Sequence, residues 1–319
     1  MEDQMIFRIK LILPIIMLLL MMSWLPQAHA EVLKPFILGK TPTSFQNPLM
    51  NPGSINDMVE YTKGQLTNQG FTVVGSYSPY PGATVICASH PELNAAAAKA
   101  PSGGFGAAQR VAVTEVNGQL QISYVNPAYL GTAYGLGKLQ GISSKLAEGL
   151  GREMEFGSEK GIKEEKLGPG KYHYKMLMPY FDDIDVLNTY TDYETGVQTV
   201  EANLTAGKGG TVKVYRIDVP GKDVSVFGVG IPQGDGPDAG AKDTDKEIMD
   251  IIDYQEIRST PYLPYEIMVQ GNKAIALRGR YRIAVHFPDT SMAGAHGFTK
   301  IMSSPGGIKD ALTAVAGGK

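Results

Sequence analysis

Cysteine is almost absent from this chain, since Cys87 is the only one among 319 residues. A single cysteine cannot form an internal disulfide, so the fold must be held by packing alone. The only tryptophan, Trp24, lies close to the N-terminus. Basic residues form no cluster and the formal net charge is −3, which argues against a nucleic-acid partner.

Complete catalytic motifs are missing as well. The sequence has no G-x-S-x-G elbow, no H-E-x-x-H pair and no Walker loop. The glycines of Gly103–Gly106 lack the G-x-G-x-x-G spacing of a dinucleotide site. The sequence therefore does not name a reaction or a cofactor.

The N-terminus has the pattern of a secretory signal peptide. Arg8 and Lys10 precede an apolar run over residues 11–22, and Ala28-His29-Ala30 is a small-x-small cleavage site. We predict a signal peptide over residues 1–30, cleavage after Ala30 and a periplasmic or secreted protein. An uncleaved anchor is the alternative. No later apolar run is long enough for a bilayer, so no membrane span is expected after cleavage.

Helix and strand signals occur in the same order twice. A helix, two strands, a helix, a hairpin and a helix are predicted between Ser54 and Leu150, with the hairpin turning at Asn117-Gly118. A similar series follows Thr191, in which Tyr265–Phe287 is predicted to hold two strands. Helix caps are predicted at Ser54, Thr191 and Thr244, each of which is followed by an acidic residue three positions later. Repetition over such a length indicates a duplicated domain. The predicted organisation is an extended lead-in (31–53), a first α+β domain (54–150), a linker (151–170) and a second, diverged α+β domain (171–319).

The first of these domains resembles the bacterial domain-of-unknown-function family number three hundred and two. The matching segments are Ser89–Pro91, Ile122–Tyr124, Asn126–Leu130 and Tyr134–Leu136. The second domain resembles the family only through the repeat. The resemblance implies an α+β fold in each domain, with a curved antiparallel-rich sheet and helices packed on one face. It implies no reaction.

The two predicted copies differ at their most characteristic positions. In the short tails Tyr134–Leu136 and His296–Phe298, Tyr134 corresponds to His296, a position that the family fills with histidine. The pair Ser123-Tyr124 falls opposite Ala284-Val285. Any function of these segments is therefore expected to be asymmetric between the two copies.

Aromatic, amide and imidazole side chains near these segments are the candidate ligand-binding residues. A tyrosine ring offers a large apolar face with one polar tip, and histidine suits proton transfer or metal ligation near neutral pH. Ordinary packing of these residues in the core is the competing interpretation. The candidates are Tyr124, Asn126, Tyr129, Tyr134, His286 and His296.

Cys87 and His90 form a C-x-x-H pair that, together with His296, is the candidate metal site. A thiolate and an imidazole at this spacing can share a soft metal or act as nucleophile and base. The alternative is a buried, inert Cys87 with His90 in a loop.

From these patterns we predict an exported, non-enzymatic binding or interaction protein whose partner is a small molecule or a periplasmic protein. The alternative is a metal- or thiol-dependent periplasmic enzyme or redox component that uses Cys87, His90 and His296.

Overall fold

The structure, a computed structural model, describes residues 31–46, 54–232 and 243–318. The predicted signal peptide and the glycine-rich loop 233–242 lie outside these residues. Val32–Lys319 form one compact unit. The unit contains antiparallel sheets and helices, which confirms the predicted α+β class. None of the helices in the described residues is long and apolar enough to cross a membrane.

Thirteen strands are found in the described residues. They are β1 Val32–Leu33, β2 Phe36–Leu38, β3 Thr72–Tyr77, β4 Ala83–Ser89, β5 Gln109–Val116, β6 Gln119–Val125, β7 Met154–Phe156, β8 Ile162–Lys163, β9 Ile184–Thr189, β10 Val212–Asp218, β11 Val224–Gly230, β12 Tyr265–Gln270 and β13 Lys273–Leu277.

Eight α-helices accompany these strands in the described part of the chain. They are α1 Ile55–Asn68, α2 Pro91–Ala97, α3 Pro127–Ala133, α4 Gln140–Leu150, α5 Tyr193–Thr205, α6 Asp245–Ile252, α7 Gly279–His286 and α8 Ser304–Ala316. Short 3₁₀ turns include Gly103–Gly106 before β5 and Thr260–Tyr262 before β12.

Two large sheets have the same strand order over five strands, and β7 is a sixth strand at the edge of the first sheet. The first runs β3-β4-β5-β6-β2-β7 and the second runs β10-β11-β12-β13-β9. In the first ladder of each sheet the register shifts at the same place, between Val73 and Gly75 and between Lys213 and Tyr215. We call residues 32–163 the first half and residues 184–318 the second half. Strands β2 and β7 come from the predicted lead-in and linker, so these segments complete the first sheet.

Each large sheet has one face covered by helices and one face turned toward the other half. Val111 and Val113 of β5 pack with α1 and α4 in one apolar cluster. Because side chains alternate along a strand, Arg110, Ala112 and Thr114 project from the opposite face. Ala112 there belongs to a core that continues into the second half. The inner face of β5 therefore forms part of the junction between the halves.

Local sequence signals account for several of these elements. Ser54 and Asp57 form a capping box at the start of α1, and Thr244 and Glu247 form another at the start of α6, as predicted. The β5–β6 hairpin turns at Asn117-Gly118, where both residues have positive φ. These elements follow from interactions within a few residues, which is why they were predictable.

Two predictions of local structure are wrong. The segment after Leu277 is the helix α7, whereas a strand was predicted as far as Phe287. The side chains from Tyr281 to His286 are all buried, so α7 has no polar stripe that would reveal its helical period. Helix α5 is capped by Asp192, which accepts a hydrogen bond from Thr195 N–H, and Thr191 is not the cap.

Candidate functional site

A buried ion pair lies on the junction between the halves. Arg110 of β5 donates from Nη1 to Glu266 Oε1 of β12 at 2.6 Å. The two residues occupy corresponding positions in their sheets, because Arg110 pairs with Cys87 and Glu266 pairs with Gly228. Cys87 and Gly228 in turn correspond across the two sheets. The ion pair therefore joins matching positions of the two halves.

Helix α7 adds a second cation and an imidazole to this pair. Arg282 Nε donates to Glu266 Oε2 at 3.0 Å, and its guanidinium lies 4.5 Å from the Tyr262 ring centre. His286 donates from Nδ1 to the Arg282 carbonyl and accepts at Nε2 from Arg110, both at 2.8 Å. Burial, with the charges of Arg110 and Arg282, holds the pKa of His286 well below its usual value. The histidine is therefore neutral.

Two tyrosines bond reciprocally across the junction. Tyr129 of α3 donates to the Val285 carbonyl at 2.6 Å, and Tyr281 of α7 donates to the Ala133 carbonyl at 3.4 Å. Helices α3 and α7 follow corresponding strands and begin directly after them. Each helix thus receives a hydrogen bond from a tyrosine of the other, and the bond from Tyr129 is the shorter of the two.

This correspondence corrects the expected alignment of the two copies. Counted from the start of α3 and α7, the counterpart of Tyr134 is His286 and the counterpart of Leu130 is Arg282. The expected match of Tyr134 with His296 is wrong, because α7 occupies the stretch that was read as a strand. The asymmetry between the two halves lies instead in Arg282 and His286, which add polar groups to the junction.

Most of the predicted ligand-binding residues are buried side chains with internal contacts. Tyr124 donates to the Gly151 carbonyl at 2.8 Å, and Asn126 caps α3 by accepting from Ala128 N–H. Tyr134 stacks on Phe181 with ring centres 4.8 Å apart, and burial raises the pKa of Tyr134 to about 12. Tyr129, Tyr134 and His286 all lie at the junction, away from the surface.

The candidate metal ligands are not brought together. Cys87 is fully buried beside Arg110, and burial raises the pKa of its thiol. His90 caps α2 by accepting from Glu92 N–H, and its ring lies 5.1 Å from Phe71. His296 stacks on Tyr254 with ring centres 3.7 Å apart. Within the described ranges, no group of three His, Cys, Asp or Glu side chains is placed to hold a metal ion.

A cleft of about 370 Å³ opens between the halves beside the junction. Thr114 and Glu115 of β5 line it from the first sheet, together with the turn Tyr80–Gly82. The second half contributes the end of α6 and the loop to Arg258. We call this space the inter-half cleft.

Hydrogen bonds between the halves fix both sides of the inter-half cleft. Gln121 of β6 donates to the Glu256 carbonyl at 2.6 Å and accepts from Arg258 N–H at 3.2 Å. The hydroxyls of Tyr80 and Thr260 are 2.9 Å apart. These contacts cross from one half to the other and thus join the two walls of the cleft.

Two polar groups in the cleft are less well satisfied than those around them. Thr114 is 2% exposed, and its hydroxyl has no hydrogen-bond partner among the described residues. Burial raises the pKa of Asp253 to about 7, although Ser259 N–H donates to its carboxylate at 2.7 Å. Arg258 is close by, but its guanidinium donates to the Asp253 main-chain carbonyl. A buried polar group without a partner is costly and therefore marks a candidate binding position.

His296 is the one predicted site residue that lies near the inter-half cleft. Its Nδ1 donates to the Ile251 carbonyl at 2.9 Å, and its ring supports Tyr254, which lines the cleft. The exposed fraction of Tyr254 is 48%, so this ring forms the open rim. His296 thus positions a cleft residue and lies behind it.

Comparisons with known proteins give no family for this chain. No family model, curated protein or solved structure matches it. The predicted family resemblance consequently stays a prediction. Function must be inferred from the geometry of the junction and the inter-half cleft.

The residues that define the junction and the inter-half cleft were not predicted from the sequence. Arg110, Glu266 and Arg282 were not singled out, nor were Thr114 and Asp253. Arg110 carried a usable signal, because it occupies a core-facing position in the otherwise apolar alternation of β5. A charge at such a position needs a buried partner, but the sequence does not say which acid supplies it.

Proposed function

We propose that this protein binds a small molecule in the inter-half cleft. The observation that carries this proposal is Thr114, a residue that lines the cleft and whose buried hydroxyl has no partner in the described residues. A buried hydroxyl left unpaired costs about 1–3 kcal/mol. A ligand that hydrogen-bonds to Thr114 would recover that cost on binding.

The size and composition of the cleft support the same proposal. Pockets for small ligands commonly have volumes of roughly 300–1,000 Å³ and combine apolar walls with a few convergent polar groups. The inter-half cleft has a volume of about 370 Å³, apolar walls at Pro81 and Met249, and polar groups at Thr114, Asp253 and Arg258. A carboxyl whose pKa is strongly shifted is a further mark of a functional site.

A ligand screen read out by NMR tests this proposal. A mixed library of neutral, cationic and anionic compounds would be added to ¹⁵N-labelled protein. We expect hits whose shift changes centre on Tyr80, Thr114 and Asp253, and a loss of those hits in Thr114→Val. Hits that map elsewhere, or hits that Thr114→Val leaves unchanged, would contradict the proposal. Thr132→Val, a half-buried position on α3 outside the cleft lining, is the matched control.

We further propose that the protein is exported and loses residues 1–30. The basic, apolar and small-residue segments in sequence support this, and they lie outside the described residues. The N-terminal sequence of the protein isolated from its native cell provides the test. Glu31 is the expected first residue, and a chain that retains Met1 would contradict cleavage.

We also propose that the two halves descend from one duplicated domain. The shared strand order, the matching register shifts and the reciprocal tyrosine bonds support a common origin. In a symmetric pair, each partner presents the same surface to the other. On this proposal the inter-half cleft is a groove between two related domains.

A further inference from the structure

We propose that the ligand of the inter-half cleft is an organic cation with an ammonium group, held by Asp253 and Thr114. This inference depends on the proposed function, because it names the class of compound for the same cleft. It concerns what the cleft offers to a ligand: hydrogen-bond acceptors, negative charge and aromatic rings.

The lining of the cleft has few positively charged hydrogen-bond donors. Among the described residues, Arg258 is the only arginine or lysine in the lining, and its guanidinium already donates to the Asp253 carbonyl. The Asp253 carboxylate accepts from the Ser259 N–H at Oδ1, and its Oδ2 has no hydrogen-bond partner among the described residues. The Thr114 hydroxyl can also accept. An ammonium group supplies three donors and needs no acceptor, which matches this deficit.

Acidic side chains outnumber basic ones around Asp253. Helix α6 contributes Asp250, which forms an ion pair with Lys246 at the surface. Strand β5 contributes Glu115, and the loop after α6 contributes Arg258. With Asp253 ionised, the lining carries three carboxylates against Arg258 and the neighbouring Lys246. The charged residues of the lining thus have a net negative charge, which favours a cationic ligand.

Two aromatic rings of the cleft also favour a cationic ligand. Tyr80 and Tyr254 both line the cleft, and Tyr254 is held by its stack with His296. A cation over the face of a tyrosine ring is stabilised by about 0.5–1 kcal/mol at an exposed site. The rim of the cleft can therefore contact the carbon chain and the charge of such a ligand together.

Binding of a cation should be coupled to the ionisation of Asp253. Its pKa of about 7 means that the carboxyl is mostly neutral at pH 6 and mostly ionised at pH 8. Since an ammonium group binds the ionised form better, binding at pH 6 must release a proton. The affinity should then rise about tenfold from pH 6 to pH 8.

Calorimetry with a matched pair of probes tests the inference. Diaminobutane and butanediol have the same carbon chain and differ in charge. We expect diaminobutane to bind the wild-type protein about tenfold more tightly at pH 8 than at pH 6, with proton release at pH 6. Butanediol should bind at least about tenfold more weakly than diaminobutane at pH 8. Asp253→Asn should abolish the preference for diaminobutane and the pH dependence, while its thermal unfolding shows that it folds.

The possible failures are distinguishable. Equal affinity for the two probes, or binding of diaminobutane that is unchanged in Asp253→Asn, would overturn the cation inference. If neither probe binds while library hits still map to Thr114, the cation inference fails and the proposed cleft survives. If no compound maps to the cleft, both fail.

Discussion

Arg110 and Thr114 project from the same face of β5, four residues apart, yet their surroundings differ completely. Arg110 faces the Glu266 carboxylate at 2.6 Å inside the closed junction. Thr114, about 13 Å along the strand, faces the inter-half cleft with no partner for its hydroxyl among the described residues. A strand between the two halves can thus hold them together at one end and leave a place for a ligand at the other.

Arg110 and Thr114 are equally buried, and they differ in whether their polar groups have a partner within the protein. Both side chains are almost fully buried. In the junction, the Tyr134 hydroxyl, Arg110 Nε and Arg282 Nη1 also have no partner in the described part of the chain. Each arginine there nevertheless contacts Glu266. Thr114 differs from these junction residues because it lines an open cleft, which is why we assign binding to the cleft and structural support to the junction.

Removing the charge of Glu266 should have the largest effect. Glu266→Gln removes the carboxylate that forms ion pairs with Arg110 and Arg282. Breaking a buried ion pair from one side costs about 3–5 kcal/mol, so the free energy of unfolding in urea should fall by that amount. Glu201→Gln is the control, because Glu201 pairs with Lys213 at the surface and its loss should cost less than about 1 kcal/mol. Similar losses of unfolding free energy in both variants would contradict the claim that the buried ion pair of the junction stabilises the protein more than a surface ion pair does.

Asp253→Asn should change stability in a pH-dependent way. The pKa of Asp253 is about 7 in the folded protein and about 4 in an unfolded chain. The folded state therefore holds the proton more tightly, and the wild type loses stability as the pH rises from about 4 to about 7. The variant cannot titrate there, so its advantage should grow over this range to about 4 kcal/mol and stay constant above it.

Urea unfolding of both proteins at several pH values measures this difference. His286 titrates in the opposite sense, because its lowered pKa removes stability as the pH falls through the unfolded value of about 6.5. Asp245, whose pKa is also raised to about 7 by burial, adds to the slope. Both residues are present in the two proteins, so their contributions cancel in the comparison. A difference that does not vary with pH would show that Asp253 is ordinarily ionised.

The parts of the fold that could be predicted are those fixed by neighbouring residues. The turn Asn117-Gly118 and the Thr244 cap depend on interactions within three residues. The junction depends on Arg110 and Glu266, which are 156 residues apart, and no local pattern connects them. Helix α7 was misread because its burial leaves no amphipathic period. His296 was chosen as a site residue, but its link to the cleft through Tyr254 follows only from the fold.

The reciprocal tyrosines allow the two halves to be compared directly. Tyr129→Phe removes a hydrogen bond of 2.6 Å and leaves a buried carbonyl without it, so we expect a loss of about 1.5 kcal/mol. Tyr281→Phe removes the bond of 3.4 Å and should cost about half as much. Unfolding free energies of the two variants and of the double variant check this. A larger loss for Tyr281→Phe would reverse the asymmetry.

The stability of Thr114→Val tests the central claim most directly, because it asks whether the hydroxyl in the cleft is truly unpaired. Valine keeps the shape of threonine and removes only the polar group. We predict that the free energy of unfolding in urea rises by about 1 kcal/mol relative to the wild type, since an unsatisfied buried hydroxyl is removed. A fall of about 1 kcal/mol would mean that the hydroxyl already has a partner within the protein, and would contradict its assignment to a ligand.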